Sequence, residues 1–208
     1  MRRLFLLLAV AGLASACGIK RVPGNILEQL PYEARIELLE SENDLALAVD
    51  RLDEAKNEVN RTRDQIRRAK ERLDAAKSEV GNANDSTSRE VAELAVEEAK
   101  KRVEWLRASQ RINGKEEELA EQNLECAIAR YEQARLAAAR KAKLEGSEEL
   151  DPEVFQAQVT SCEEEYAQLK EKLKETSTEA EQFRAEWDAA RAALAKKTFD
   201  ARASPYVE

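Results

Sequence analysis

The chain has 208 residues, 37% charged and only 5% aromatic, with 6 Gly, 4 Pro and no histidine. Aromatic bulk is too scarce for an ordinary compact core of this length, and a 43% hydrophobic content recurring at regular intervals argues against disorder. The formal net charge of −8 argues against nucleic acid as a partner, and the missing histidine removes the commonest general base and transition-metal ligand.

The chain opens with Arg2 and Arg3, an apolar run over residues 4–13, and the small residues Ala14, Ser15 and Ala16 before Cys17. A basic start, an apolar stretch too short to span a bilayer and a small-residue zone are the parts of an export signal. The cysteine directly after the small residues resembles the lipobox of bacterial lipoproteins. That family prefers leucine three residues before the cysteine; here Ala14 holds that place, with Leu13 one earlier. The resemblance implies cleavage after residue 16, a covalent lipid on Cys17 and no other cofactor. The alternative is an ordinary signal that leaves Cys17 a free or paired thiol. Several acyl chains anchor a protein essentially irreversibly, because each buried methylene contributes about 0.8 kcal/mol. Gly18 stands where aspartate would, by resemblance to the family, retain the protein in the inner membrane. The expected location is therefore the outer membrane, facing the periplasm. Loss of Arg2 and Arg3 leaves the mature chain near −10, which disfavours adhesion of the body itself to anionic lipid.

Residues 17–30 read as the lipidated cysteine and a tether, with Pro23-Gly24 as a turn signal. Pro31 suits the first turn of a helix expected over 31–80. Leu38, Leu45, Leu52, Val59, Ile66, Leu73 and Val80 recur every seventh residue, with Ser41, Ala48, Ala55, Thr62, Ala69 and Ala76 in the partner column. Small side chains in such a seam let helices approach closely, and the seven-residue period implies left-handed supercoiling.

Gly81, Asn82, Asn84 and Asp85 mark a loop, and Thr87 with Glu90 forms a capping-box pattern for a second helix over 88–145. Its seam is Ala92, Val96, Ala99, Val103, Leu106, Ala120, Leu124, Ala127, Tyr131, Ala134 and Ala138. Gly146 suits the residue after the helix end. Asp151-Pro152 is an N-cap and first-turn pair for a third helix over 152–197, whose seam includes Phe155, Val159, Cys162, Tyr166, Leu169, Leu173, Phe183, Trp187 and Leu194. Residues 198–208 lose the pattern. Helices of about 50, 58 and 46 residues measure roughly 70 to 87 Å, and short connections make neighbours antiparallel. The expected fold is all-α: a long antiparallel three-helix coiled-coil bundle behind a cleaved lipoprotein signal. The runner-up is an extended chain whose helices find partners in other subunits.

Four features carry candidate chemistry. Cys126 and Cys162 would meet an oxidising compartment, and the helix lengths permit an intramolecular bridge between the second and third helices; an intersubunit bridge or two free thiols stay open. Gln110, Asn113 and Glu117 place polar groups in the second helix's seam beside Gly114, either as a layer that fixes register or as a hinge and partner-binding notch. Runs such as Glu116-Glu117-Glu118 and Glu163-Glu164-Glu165 read as solvated faces, since consecutive helical residues point apart and cannot converge on a metal. Trp105 falls just off the seam, as a flank of the bundle or an exposed anchor for another protein.

No nucleophile–base pair, phosphate loop or metal motif appears, so no enzyme is expected. The plan is similar to that of small helical envelope lipoproteins such as murein lipoprotein. Those end in a lysine joined to peptidoglycan, whereas this sequence closes with Ser204-Pro205-Tyr206-Val207-Glu208. The expected role is a structural spacer, tether or scaffold for an envelope assembly. Its partners would be the membrane, through the lipid, and other envelope proteins or a second copy. The alternatives are an accessory of a transport or secretion complex and a periplasmic holdase-type chaperone.

Overall fold

The computed structural model describes residues 18–198, and every regular element among them is helical. The order is α1 (Gly24–Leu27), α2 (Tyr32–Glu37), α3 (Leu39–Asn82), α4 (Ser86–Lys141) and α5 (Pro152–Thr198). The three long helices pack as a bundle.

The first long helix is interrupted. The chain turns at Leu38, and its backbone N–H groups close short turns onto Arg35 and Ile36 before α3 begins. More consequential is the stretch read as a tether. Val22, Ile26, Leu30, Ala34 and Leu38 are all buried, at a spacing of four. Val22 and Ile26 pack with Leu136, Ala139 and Phe155; Leu30, Ala34 and Leu38 pack with Ala138. Residues 22–30 are therefore a strap bound across the ends of α4 and α5. Pro23, Gly24 and Asn25 disguise that apolar strip as a loop.

The caps also differ from expectation. Asp85, rather than Thr87, caps α4: its carboxylate accepts from the Ser88 backbone N–H at 2.9 Å and from the Ser88 hydroxyl at 2.6 Å. That hydrogen bonding holds the Asp85 carboxyl below its ordinary value. At the other end α4 stops at Lys141, four residues short of the expected boundary. Lys143 takes the left-handed conformation at φ 55°, and the Leu144 N–H reaches the Ala139 carbonyl at 3.1 Å. This is a Schellman-type ending in which lysine occupies the place usually given to glycine. Gly146 adopts φ 81° within the loop that follows. Asp151 behaves as its sequence suggests, its Oδ1 accepting from the Glu153 N–H at 2.9 Å.

α4 is the middle helix. Towards α3 it presents the seam running from Ala92 to Ala138, where Val103 and Leu106 pack on Ile66 and Ala69, Asn113 meets Thr62, and Tyr131 meets Glu42. As residue numbers rise along α3 they fall along α4, so the pair is a hairpin. A second seven-residue strip faces α5: Glu98, Lys101, Trp105, Ala108, Ile112, Lys115, Leu119, Gln122, Cys126, Ala129, Gln133 and Leu136, none of them exposed. Centred on their seven-residue repeats, the two strips stand roughly 150° apart around α4. They place α3 and α5 on nearly opposite flanks, and no Cα of α3 comes within 8 Å of one in α5. The core is thus two seams sharing one helix.

Candidate functional site

Cys17 lies outside the described residues, but the point at which the chain leaves the body does not. Val22 is held by a backbone N–H that donates to Glu132 Oε2 at 2.8 Å. Glu132 is buried on α4 and its other oxygen accepts from Arg135 at 2.5 Å. Five residue steps separate Cys17 from Val22, a reach of at most about 18 Å. Val22 itself packs at the end of the body that carries the α4–α5 loop. The tip of the α3–α4 hairpin lies some 46 residues of helix away, or about 70 Å.

Cys126 and Cys162 are disulfide-bonded, with Cα atoms 5.4 Å apart. Both are buried, and Gln122 closes over the bridge with its side-chain amide 3.4 Å from the Cys162 carbonyl oxygen and from its sulfur. The bond ties α5 to the seam that is richest in polar groups. Around it, Arg130 pairs with Glu163 at 3.0 Å and Gln133 donates to Gln156 at 2.6 Å. These contacts are exposed and contribute little each.

The polar positions of the first seam divide. Asn113 donates to the Thr62 hydroxyl at 2.6 Å, a bond across the hairpin that fixes register. Gln110 and Glu117 are half-buried on the same side. Gly114 is helical and has open space where a Cβ would stand. α4 runs unbroken through all four residues. Burial, followed by the nearby Glu58 charge, pushes the Glu116 carboxyl above its ordinary value. Two other acidic positions named from sequence hold ordinary ion partners: Glu118 pairs with Lys115 at 2.6 Å and Glu163 with Arg130.

Sequence reasoning missed a cluster on the second seam. Trp105 and Trp187 stack with centroids 4.8 Å apart and planes 6° from parallel. The Trp187 indole N–H donates to Glu98 Oε1 at 2.7 Å, and Glu98 is wholly buried. The Arg102 and Arg191 guanidiniums lie 5.3 and 5.8 Å from the Trp187 ring, so the stack has cationic neighbours. Lys101 bonds Glu186 at 2.6 Å and Glu104 at 3.1 Å, contacts that raise its ammonium above the ordinary value, Glu186 contributing most. Trp105 is a half-buried seam residue, not an exposed anchor. The signal that could have found this was the column Glu98, Trp105, Ile112, Leu119, Cys126 and Gln133, spaced by seven.

Among the described residues, no group of three or more His, Cys, Asp or Glu side chains is placed to hold a metal. No described helix is long and apolar enough to cross a membrane. Comparison with family models, curated proteins and solved structures finds no match.

Proposed function

We propose that this chain is a lipid-anchored coiled-coil lipoprotein of the bacterial envelope, exported, cleaved before Cys17, acylated there and held at the periplasmic face of the outer membrane. In this reading α3, α4 and α5 form an antiparallel three-helix coiled coil that acts as a spacer or scaffold. It carries an envelope partner at a fixed distance from the membrane.

The supporting observation is the position of Val22 against Glu132. A free tether would let the body wander over the membrane. A strap that begins five residues after the acylated cysteine gives the body one near end, the α4–α5 loop, and one far end, the α3–α4 tip. A stiff body fixed at one end sets a distance, and here that distance is about 70 Å. Continuous charge on the outer faces keeps such a body solvated, while the disulfide and buried seams keep it straight.

The test is metabolic labelling with a fatty acid in cells making the chain or its Cys17→Ser variant, with fractionation of the membranes. Label on the first and not on the second, in the outer-membrane fraction, is the expected result. Unlabelled protein, or protein resident in the cytosol, removes the reading.

A further inference from the structure

The charge of the outer faces breaks at one place. Six large apolar side chains stand exposed among the described residues, and five of them fall in one short stretch: Tyr32, Ile36, Leu39, Leu47 and Val49. Apolar residues scattered singly over a surface mean little, whereas a contiguous patch marks a binding face. These are ordered as well as close. Tyr32, Ile36, Leu39, Asn43 and Ala46 are all exposed and are spaced four, three, four and three. That is the spacing of a coiled-coil seam.

The inward seam, Ala34, Leu38, Ser41, Leu45 and Ala48, runs two positions behind it, and so roughly 160° around the helix. α2 and the start of α3 therefore carry a second seam, turned away from α4, that no described element covers. Leu47 borders it. One heptad on, Asp50 and Asp53 take the seam positions and end it. From Tyr32 to Leu47 it runs about 23 Å, enough for four turns of a partner helix.

Charge selects the occupant. Residues 32–50 hold six acids and one base. Glu33, Glu37, Glu40 and Asp44 form a column one position after the seam. Glu37 is taken by Lys141 at 2.5 Å, while Glu33, Glu40 and Asp44 stand exposed with no ion partner among the described residues. The one base, Arg35, turns to the strap, donating to the Leu30 and Glu28 carbonyls at 3.0 and 3.3 Å. An apolar stripe edged by unneutralised carboxylates repels anionic lipid, and a second copy would bring the same carboxylates to the contact.

We infer that this face docks an amphipathic helix of another protein, apolar at its own seam and flanked by lysine or arginine. Tyr32, Ile36, Leu39 and Leu47 supply the apolar contact, and Glu33, Glu40 and Asp44 meet the flanking cations. Asn43, in the middle of the seam, sets the register. The inference needs no lipid on Cys17, so it stands apart from the function proposed above.

The test measures binding of two synthetic helices to the purified full chain by fluorescence anisotropy. Each peptide has about 21 residues with leucine at both seam positions; one carries lysine on the flanks and the other glutamate. The lysine peptide should bind about tenfold or more tightly than the glutamate peptide, and lose that advantage as salt rises. An Ile36→Ala, Leu39→Ala variant should weaken it about tenfold or more, with helical content and urea midpoint unchanged because both side chains are exposed. A Glu33→Lys, Glu40→Lys variant, which leaves the apolar stripe intact, should reverse the preference. Equal binding of the two peptides, or binding that survives the alanine changes, would overturn the inference. So would a dimer of the full chain, or its uptake by phosphatidylcholine vesicles, that the alanine changes abolish.

Discussion

Val22 and Glu132 are 110 residues apart in sequence and 2.8 Å apart in space, and the bond between them decides where the N-terminal segment leaves the body. The donor is a backbone amide with no helix to satisfy it. The acceptor is a buried carboxylate that also holds Arg135.

Removing that acceptor should loosen the strap. Glu132→Ala leaves a buried N–H unsatisfied and should lower stability by about 1–3 kcal/mol. Glu132→Gln keeps a side-chain oxygen for Val22 but loses the charge facing Arg135, so its effect should be smaller. Urea denaturation measures both. Hydrogen exchange should show the change in residues 19–30 first. If Ala and Gln behave alike, the amide bond is not what holds Val22.

The disulfide should matter more than its single bond suggests. It closes 36 residues of sequence separation, for which the chain-entropy model gives about 4 kcal/mol. The seam it staples contains Glu98, Lys101, Lys115, Gln122 and Gln133, side chains that contribute less burial than the leucines and valines of α3. Cys162→Ser should therefore shift the urea midpoint strongly and let α5 exchange before α3. A dithiol reductant should do the same to the natural chain and nothing further to the variant. Equal loss of α3 and α5 would show that the two seams melt as one unit.

How far the sequence could be read follows from these energies. α3 was legible because its seam is built of Leu, Val and Ile at strict sevens, and the first seam of α4 because Val103, Leu106 and Leu124 continue that signal. The second seam was not, because charged and amide side chains occupy five of its twelve positions and imitate a solvent face. Trp105 and Cys126 looked like flanks for that reason, although the spacing of seven between Glu98 and Gln133 was there to be seen. The strap was hidden differently. Its buried residues are spaced by four, but Pro23 and Gly24 between them carry a local turn signal that the packing of Val22 and Ile26 overrides. The Cys126–Cys162 pairing, with Cα atoms 5.4 Å apart, needed the helix ends as well as the helices. Moving the end of α4 from residue 145 to Lys141 changes which residues stand level across the hairpin.

That helix end supplies a prediction of gain. Lys143 sits at φ 55°, a conformation that costs a non-glycine residue about 1–2 kcal/mol. Lys143→Gly should therefore raise the melting temperature, with a stabilisation of about 0.5–1 kcal/mol after the entropy that glycine adds to the unfolded chain. Gly146→Ala should do the reverse. Its φ of 81° is unsuited to a side chain, and the new methyl group would stand 3.5 Å from Ile26 Cδ1. Opposite signs at two positions of one loop separate backbone conformation from packing.

The tryptophan pair allows hydrogen bonding and stacking to be tested separately. Trp187→Phe keeps an aromatic ring against Trp105 but withdraws the N–H that Glu98 accepts at 2.7 Å. Because Glu98 is wholly buried, solvent cannot replace that donor, and the loss should be about 1–3 kcal/mol. Trp105→Phe keeps the hydrogen bond and trims only the half-buried ring, so it should cost about 1 kcal/mol or less. Denaturant midpoints for the two variants should therefore differ, with Trp187→Phe the weaker protein. The reverse order would mean that ring area, rather than the buried carboxylate's need for a donor, keeps α5 in register on α4. Glu98 would then hold a place on the seam that any small apolar side chain could fill.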